Sequence, residues 1–376
     1  MKAGWQTKPF EGCIEKVSYT SKIQRKDFLD AGAYPIISQE DASINGYWDT
    51  EADLFHVTIP IVVFGDHTKV LKYVDFDFVL GADGVKVLQP LDFLLPKFFF
   101  YQLQAAILDS LGYARHYKLL KELEIAYPGR PEQRRIVAIL EQAFDNIAAA
   151  KANAEKNLQN ARALFESYLQ SVFSDAWKTG ELITLADLAT DVTDGDHMPP
   201  PKAPSGVPFI TIGNIAKDTC TIDFTETFMV SREYYDRLKP NKKPKIGDIL
   251  YTVTGSFGIP VLVHEHREFC FQRHIGLVRP KPEVSSEWLY YLLMSPQIFT
   301  QANDGATGTA QRTVSLKLLR GFQVPRIPLA RQQEVAAKLN AIIEETQRLE
   351  SIYQRKLAAF DALKKSLLHQ AFSGHL

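Results

Sequence analysis

Apolar or small residues step by three and four through Ile136, Leu140, Ala143, Ile147, Ala150 and Ala154. After one extra residue they resume at Leu158, Ala161, Phe165, Tyr168 and Val172. The period predicts one long amphipathic helix, and no Pro or Gly between Glu132 and Ser174 interrupts it. A second run carries a like stripe through Val335, Leu339, Ile342, Leu349, Tyr353, Leu357, Phe360 and Leu367, with Lys364 as a polar interruption. The two runs superpose without a gap. RPEQRRIVAIL (130–140) lies on LARQQEVAAKL (329–339), which sets Gln133 on Gln332, Leu140 on Leu339, Leu158 on Leu357, Leu164 on Leu363, Leu169 on Leu368 and Phe173 on Phe372. Each run predicts a rod of roughly 60 Å at about 1.5 Å per residue. A single amphipathic helix cannot bury its own stripe, so each rod needs a partner, and the other copy is at hand. Antiparallel pairing is expected, because a parallel pair would force the second block of the chain to span the whole rod.

The residues before each rod also echo one another. GWQTKPF (4–10) returns in outline as AWKTGEL (176–182), matching Trp5 with Trp177. GAYPIIS (32–38) returns as GVPFIT (206–211), with Pro35 on Pro208. IPIVVFGDHTKV (59–70) corresponds to GDILYTVTGSFG (247–258), each an apolar β-run ending in a small, polar turn. A further strand run follows in each block, then an aromatic helix (FFFYQLQAAI; WLYYLLMSPQIF) and a Gly-bearing polar loop. The expected fold class is α+β: two similar α/β domains separated by two long helices that form an antiparallel coiled coil. The expected boundaries are 1–128 for the first domain, 129–175 for the first long helix, 176–327 for the second domain and 328–376 for the second helix.

Composition narrows the function. Hydrophobic residues make up 45% of the 376 and charged residues 23%, a globular balance with no block of like charge. There is no run of 18 apolar residues and no signal-peptide core at the start, so a soluble, cytoplasmic protein without membrane contact is expected. Cys13, Cys220 and Cys270 form no CxxC pair and suggest neither a disulfide framework nor a zinc knuckle. With 43 Lys+Arg against 44 Asp+Glu, nothing draws the whole chain to nucleic acid, so any affinity must come from local patches or partners. Catalytic signatures are missing: no GxGxxG after a strand, no GxxxxGK[ST], no HExxH, no GxSxG and no Asn/Asp-Pro-Pro-aromatic tetrad. Asp75, Asp83 and Lys86 have the wrong spacing for a nuclease metal site. In DGDHMPPP (194–201) a turn in which Asp194 and Asp196 accept backbone hydrogen bonds is favoured over a metal site, with contact between His197 and a polyanion as a further reading. No catalytic residue, metal or cofactor is assigned.

The polar loops that end the β-runs hold the candidate chemistry. In the second block these are Thr254, Gly255, Ser256, Gln272, Arg273, His274, Gln311 and Arg312, with His197 beside them. The first block offers Asp66, His67, Thr68, Lys69, Arg115, His116 and Lys118. Such a set suits duplex DNA, since Arg and Lys reach guanine O6/N7, Gln reaches adenine, and hydroxyls and backbone amides take phosphates. LKPNKKPKIG (238–247) adds Lys242 and Lys243 as a phosphate-holding stripe. Their recurrence at matching places in two blocks predicts a divided target.

In order and twice over, the W-x-T openings, the DGDH loop, FITIGNI, GDILYTVTGS, GATGTAQRTVSLKLLRGFQVP and the two helix starts resemble the specificity subunit of type I restriction-modification systems. The resemblance covers essentially the whole chain. It implies a non-enzymatic reader of double-stranded DNA in which each globular block is a target recognition domain for half of a bipartite, asymmetric site. The helices would act as a ruler and dock two methyltransferase subunits. It further implies that S-adenosylmethionine, ATP and magnesium belong to those partners and to motor-nuclease restriction subunits. The first block departs from the pattern, carrying TSKIQRKDFLD (20–30) where a DGDH loop would stand. A coiled-coil scaffold that assembles partners without reading DNA is the alternative.

Overall fold

The computed structural model describes residues 4–82, 84–106, 108–109, 112, 114–197, 200–309 and 311–373. The chain divides into two compact units, Met1–Lys156 with Tyr353–Leu376, and Asn157–Ile352.

In the first unit, strand Gln6–Pro9 pairs antiparallel with Glu124–Tyr127, next to the start of the long helix. A four-stranded antiparallel sheet orders Ile14–Glu15, Val85–Pro90, Ile61–Gly65 and Leu71–Val74. A second sheet is built around Tyr34–Ile37, which runs antiparallel to Gly46–Trp48 and parallel to Phe78–Gly81. Helices α1 (Pro96–Ala105) and α2 (Tyr117–Lys121) follow.

The second unit repeats this plan. Leu182–Thr184 pairs with Gln323–Pro325, and a four-stranded sheet orders Ala189–Asp194, Ile275–Pro280, Ile249–Thr252 and Pro260–Leu262. Val207–Ile210 runs antiparallel to Phe228–Val230 and parallel to Cys270–Phe271. Strand order and direction match through the four-stranded sheets and the three central strands of the second sheets, and Pro35 and Pro208 fall in corresponding strands; the first unit adds Lys22–Ile23 and Leu54–Phe55 on Phe78–Gly81, and the second a separate pair, Ile215–Ala216 with Thr221–Ile222. After α3 (Arg130–Thr179), this unit carries α4 (Leu185–Leu188), α5 (Arg232–Arg237), α6 (Ser286–Met294), α7 (Pro296–Gly305) and α8 (Leu316–Arg320) before α9 (Leu329–Ser373). One aromatic helix was expected across residues 288–299. The structure breaks it between α6 and α7, because Pro296 has no N–H to donate and the Ser295 hydroxyl bonds back to the Leu292 carbonyl.

The long helices explain the repeated sequence. α3 has 50 residues and α9 has 45, so they run about 75 and 68 Å. α3 continues past Ser174, which places Trp177 in its last turns and not at the opening of the second block. Within the first unit, Ile136 and Leu140 of α3 join Leu368 and Ala371 of α9 in one core. Within the second, Leu169 and Phe173 of α3 join Val335 and Leu339 of α9. Residues paired by the sequence repeat thus fill corresponding cores. The antiparallel sense follows unit by unit. In the first, Phe144 lies under Lys364 while Lys151 binds Asp361 at 2.7 Å. In the second, Arg162 binds Glu350 at 2.9 Å while residues nearer the end of α3 pack on those nearer the start of α9. Lys364, the break in the stripe, is exposed and sets its ammonium 5.0 Å from the Phe144 ring centroid.

Candidate nucleic-acid interface

In the second unit the frame of the candidate interface is backbone. Thr313 and Thr307 exchange hydrogen bonds at 2.8 and 3.0 Å, closing the GATGTAQRT loop on itself. Gly255 N–H then donates to the Arg312 carbonyl, Val253 N–H to His274 and Arg273 N–H to Asp196. Four loops from separate stretches of the sequence are thereby laced side by side. Gly195 is obligatory in this lacing: a Cβ there would stand 1.9 Å from the Phe271 carbonyl oxygen. Gly308 has φ +105, and a Cβ would come within 2.5 Å of the Gln311 oxygen.

The loops enclose a cleft of about 350 Å³ whose walls include Asp194, His197, Thr254, Arg273, His274, Gln311 and Thr313. Arg273, Gln311 and His197 are exposed there, as are Gly255 and Ser256 at the neighbouring turn. Gln272 and His274 touch through Nε2 and Nδ1 at 3.1 Å. Desolvation, and secondarily the Arg273 charge, push the His274 pKa below the usual histidine value, which keeps the ring neutral at pH 7. A cleft with an exposed guanidinium, a neutral imidazole and amide and hydroxyl groups presents donors and acceptors of the kind that read base edges.

Other candidates are turned inward. The Arg312 guanidinium is held by Asn303, through Oδ1 at 2.8 Å and through the carbonyl, and lies 5.7 Å from the Phe257 ring centroid. Thr254 is nearly buried. Lys242 was expected in a phosphate stripe. Its ammonium instead donates to the Gly195 carbonyl at 3.0 Å and to Asp196 at 3.2 Å. Lys243 donates to the Asp236 carbonyl at 3.1 Å and lies over Tyr235. The DGDH turn also differs from expectation. Its carboxylates bind side chains: Asp194 meets His197 at 3.1 Å, and Asp196 accepts from Lys242 and from the Tyr234 hydroxyl. No group of three or more His, Cys, Asp or Glu residues suited to a metal occurs among the described residues.

The first unit reproduces the frame with different side chains. Asp66 N–H donates to the Gly84 carbonyl as Val253 does to His274, and His116 N–H to Asp66 as Val314 does to Val253. Lys22–Ile23, part of the segment that replaces the DGDH loop, pairs parallel with Leu80 and Gly81 just as Asp196 bridges Gln272. That segment therefore occupies the matching position. Asp66 is 2% exposed, and its Oδ1 accepts from Tyr117 N–H at 2.7 Å, capping α2; His116 is 1% exposed, with Nδ1 3.0 Å from the Asp66 carbonyl. Both are built into the loop and not displayed on it. Thr68 donates to the Gln39 carbonyl at 2.6 Å, His67 N–H reaches Gln39 Oε1, and Lys69, at φ 61, donates to the Leu108 carbonyl. Arg115 and Lys118 are exposed. Asp83 lies outside the described residues. Sequence reasoning missed Gln39, Tyr234 and Asn303, which hold the loops from remote positions and belong to no local motif.

A duplicated α+β module, each copy ending in laced polar loops and each followed by a long helix, defines the class of two-module DNA specificity proteins. The chain belongs to the type I restriction modification DNA specificity domain family, whose model matches residues 2–159 and 176–356. The specificity subunit of the type I restriction enzyme EcoBI from Escherichia coli is 26% identical over 156 residues, 41% of this chain and 33% of that one. The MjaVIII specificity subunit from Methanocaldococcus jannaschii is 23% identical over 279 residues, 69% of this chain. The chain spans between a third and just under two thirds of these relatives' lengths, 33% and 63%. Among solved structures, one described under complex assembly and conformational transition of the type I R-M system matches with a TM-score of 0.75, at 18% identity and covering 100% of this chain and 99% of that one. The HsdS subunit from Thermoanaerobacter tengcongensis matches at 0.61, also 18% identical, covering 100% and 98%. These likenesses establish the fold.

Proposed function

We propose that the chain is the non-catalytic DNA-reading subunit of a type I restriction-modification complex, each module reading one half of a bipartite, asymmetric site. The observation that carries this reading is the shared loop frame: equivalent backbone hydrogen bonds hold polar loops of different sequence in the two modules, as two different half-sites require. The long helices set the gap between halves and dock two methyltransferase subunits. Leu164 and Leu363, equivalent in the repeat, are 55% and 46% exposed, which offers the same apolar contact twice. S-adenosylmethionine, ATP and magnesium are required by the partners, including the restriction subunits. The complex works on DNA in the cytoplasm; no described helix is long and apolar enough to cross a membrane. Co-expression with the candidate methyltransferase subunit, followed by sequencing of modified adenines, tests the reading. A methylated motif split by a fixed gap is expected; a purified complex that ignores DNA would favour the scaffold alternative.

A further inference from the structure

The position that anchors the sequence repeat is a buried polar side chain in both copies. Gln133 is 0% exposed and Gln332 2%. Gln133 accepts from Leu95 N–H at 2.8 Å and donates to the Phe93 and Pro128 carbonyls at 2.8 and 2.9 Å. Gln332 accepts from Ser285 N–H at 2.8 Å and donates to the Ile327 carbonyl at 2.7 Å. Leu95 and Ser285 are the N-cap residues of α1 and α6, the aromatic helices of the two modules. A cap N–H of this kind is ordinarily taken by a Glu or Gln three residues on. Here those positions hold Phe98 and Trp288, which are spent in the cores, so a glutamine on the long helix supplies the acceptor instead. Its amide simultaneously ties the linker five residues upstream, where the chain leaves the module. One side chain thus joins the long helix to its module at two separate places.

From this we infer that Gln133 and Gln332 are positioning residues that fix the angle at which each module leaves its long helix, and so the gap tolerated between half-sites. The inference rests on the bipartite reading above. A buried amide does this better than apolar packing, because its hydrogen bonds are lost on a small rotation whereas apolar contacts re-form in neighbouring arrangements. Neither residue touches the candidate loops, so base preference within a half-site is untouched.

The test uses the full chain assembled with its methyltransferase subunits and carrying Gln133→Met or Gln332→Met, which keep length and volume but not the hydrogen bonds. Duplexes bearing the wild-type half-sites, with the native gap and gaps one base pair shorter or longer, are methylated side by side. The preference for the native gap should fall about tenfold, the bias of one or two hydrogen bonds, with the bases read in each half unchanged. A folded variant with the wild-type gap preference overturns the inference. Should the Met variants not assemble, Gln133→Glu and Gln332→Glu keep the acceptor and lose the donors, and an undiminished gap preference in them overturns it equally. If the unmodified complex shows no gap preference, the bipartite reading itself has failed.

Discussion

The residues of the candidate interface differ in what their side chains are committed to, and this sorts the predictions. Arg273 is exposed in the cleft with its backbone fixed by Asp196, so Arg273→Ala should cost about 1 to 3 kcal/mol of binding and relax one position of the methylated motif. An unchanged motif would remove it from the reading set. Asp66→Ala takes away the acceptor that caps α2, and urea unfolding should show a loss of about 0.5 to 2 kcal/mol. Lys72 gives a pH test. Burial lowers its pKa to about 8 against the opposing influence of Glu40 and Asp41, while its ammonium holds the Ala42 carbonyl and Asn45. Between pH 8 and 10.5 the unfolded chain therefore binds the proton that the folded one has released, and stability rises with pH. Wild-type stability measured relative to Lys72→Met should rise over that range by up to about 1.4 kcal/mol per pH unit; a relative stability flat in pH would refute the assignment. Which loops carry polar groups was legible in the sequence, because composition and recurrence are local properties. The inward commitment of Asp66, Lys242 and Arg312 was not, because their partners at Tyr117, Gly195 and Asn303 are adjacent only after folding.

At the level of elements, the 3.6-residue period marked both long helices, since tens of residues contribute to one signal. It placed the end of the first too early, because nothing about Trp177 in isolation shows that it still packs against Phe173 within the same helix. The short strands were harder to read. Two-residue pairings such as Lys22–Ile23 with Leu80 and Gly81 have no period to detect, and only the sheet shows that this stretch stands where the second module has its DGDH loop. The repeat does predict a surface. Leu164→Glu and Leu363→Glu sit at exposed, equivalent positions, so each alone should release one methyltransferase subunit and the pair both, read as stepwise mass loss of the complex. Loss of neither subunit in the double variant would move the docking site elsewhere.

For the molecule as a whole, the two units are assembled from the sequence in different ways. The second is one continuous stretch, Asn157–Ile352, whereas the first joins Met1–Lys156 to Tyr353–Leu376. Leu368 and Ala371 lie in the same buried cluster as Phe98 and Leu140, and Phe372 packs 5.2 Å from the Phe98 ring centroid. Removing the residues after Tyr353 should therefore expose the core of the first unit and leave the second near its native stability, as proteolysis followed by mass spectrometry would show. Equal digestion of both units would count against it. During synthesis the order is inverted: the first module waits, with an open core, for residues that are translated only after the whole of the second. It is then the module most in need of chaperone protection on the ribosome, and a nonsense mutation between Tyr353 and Leu368 would leave it with an unfilled core while the second module folds complete.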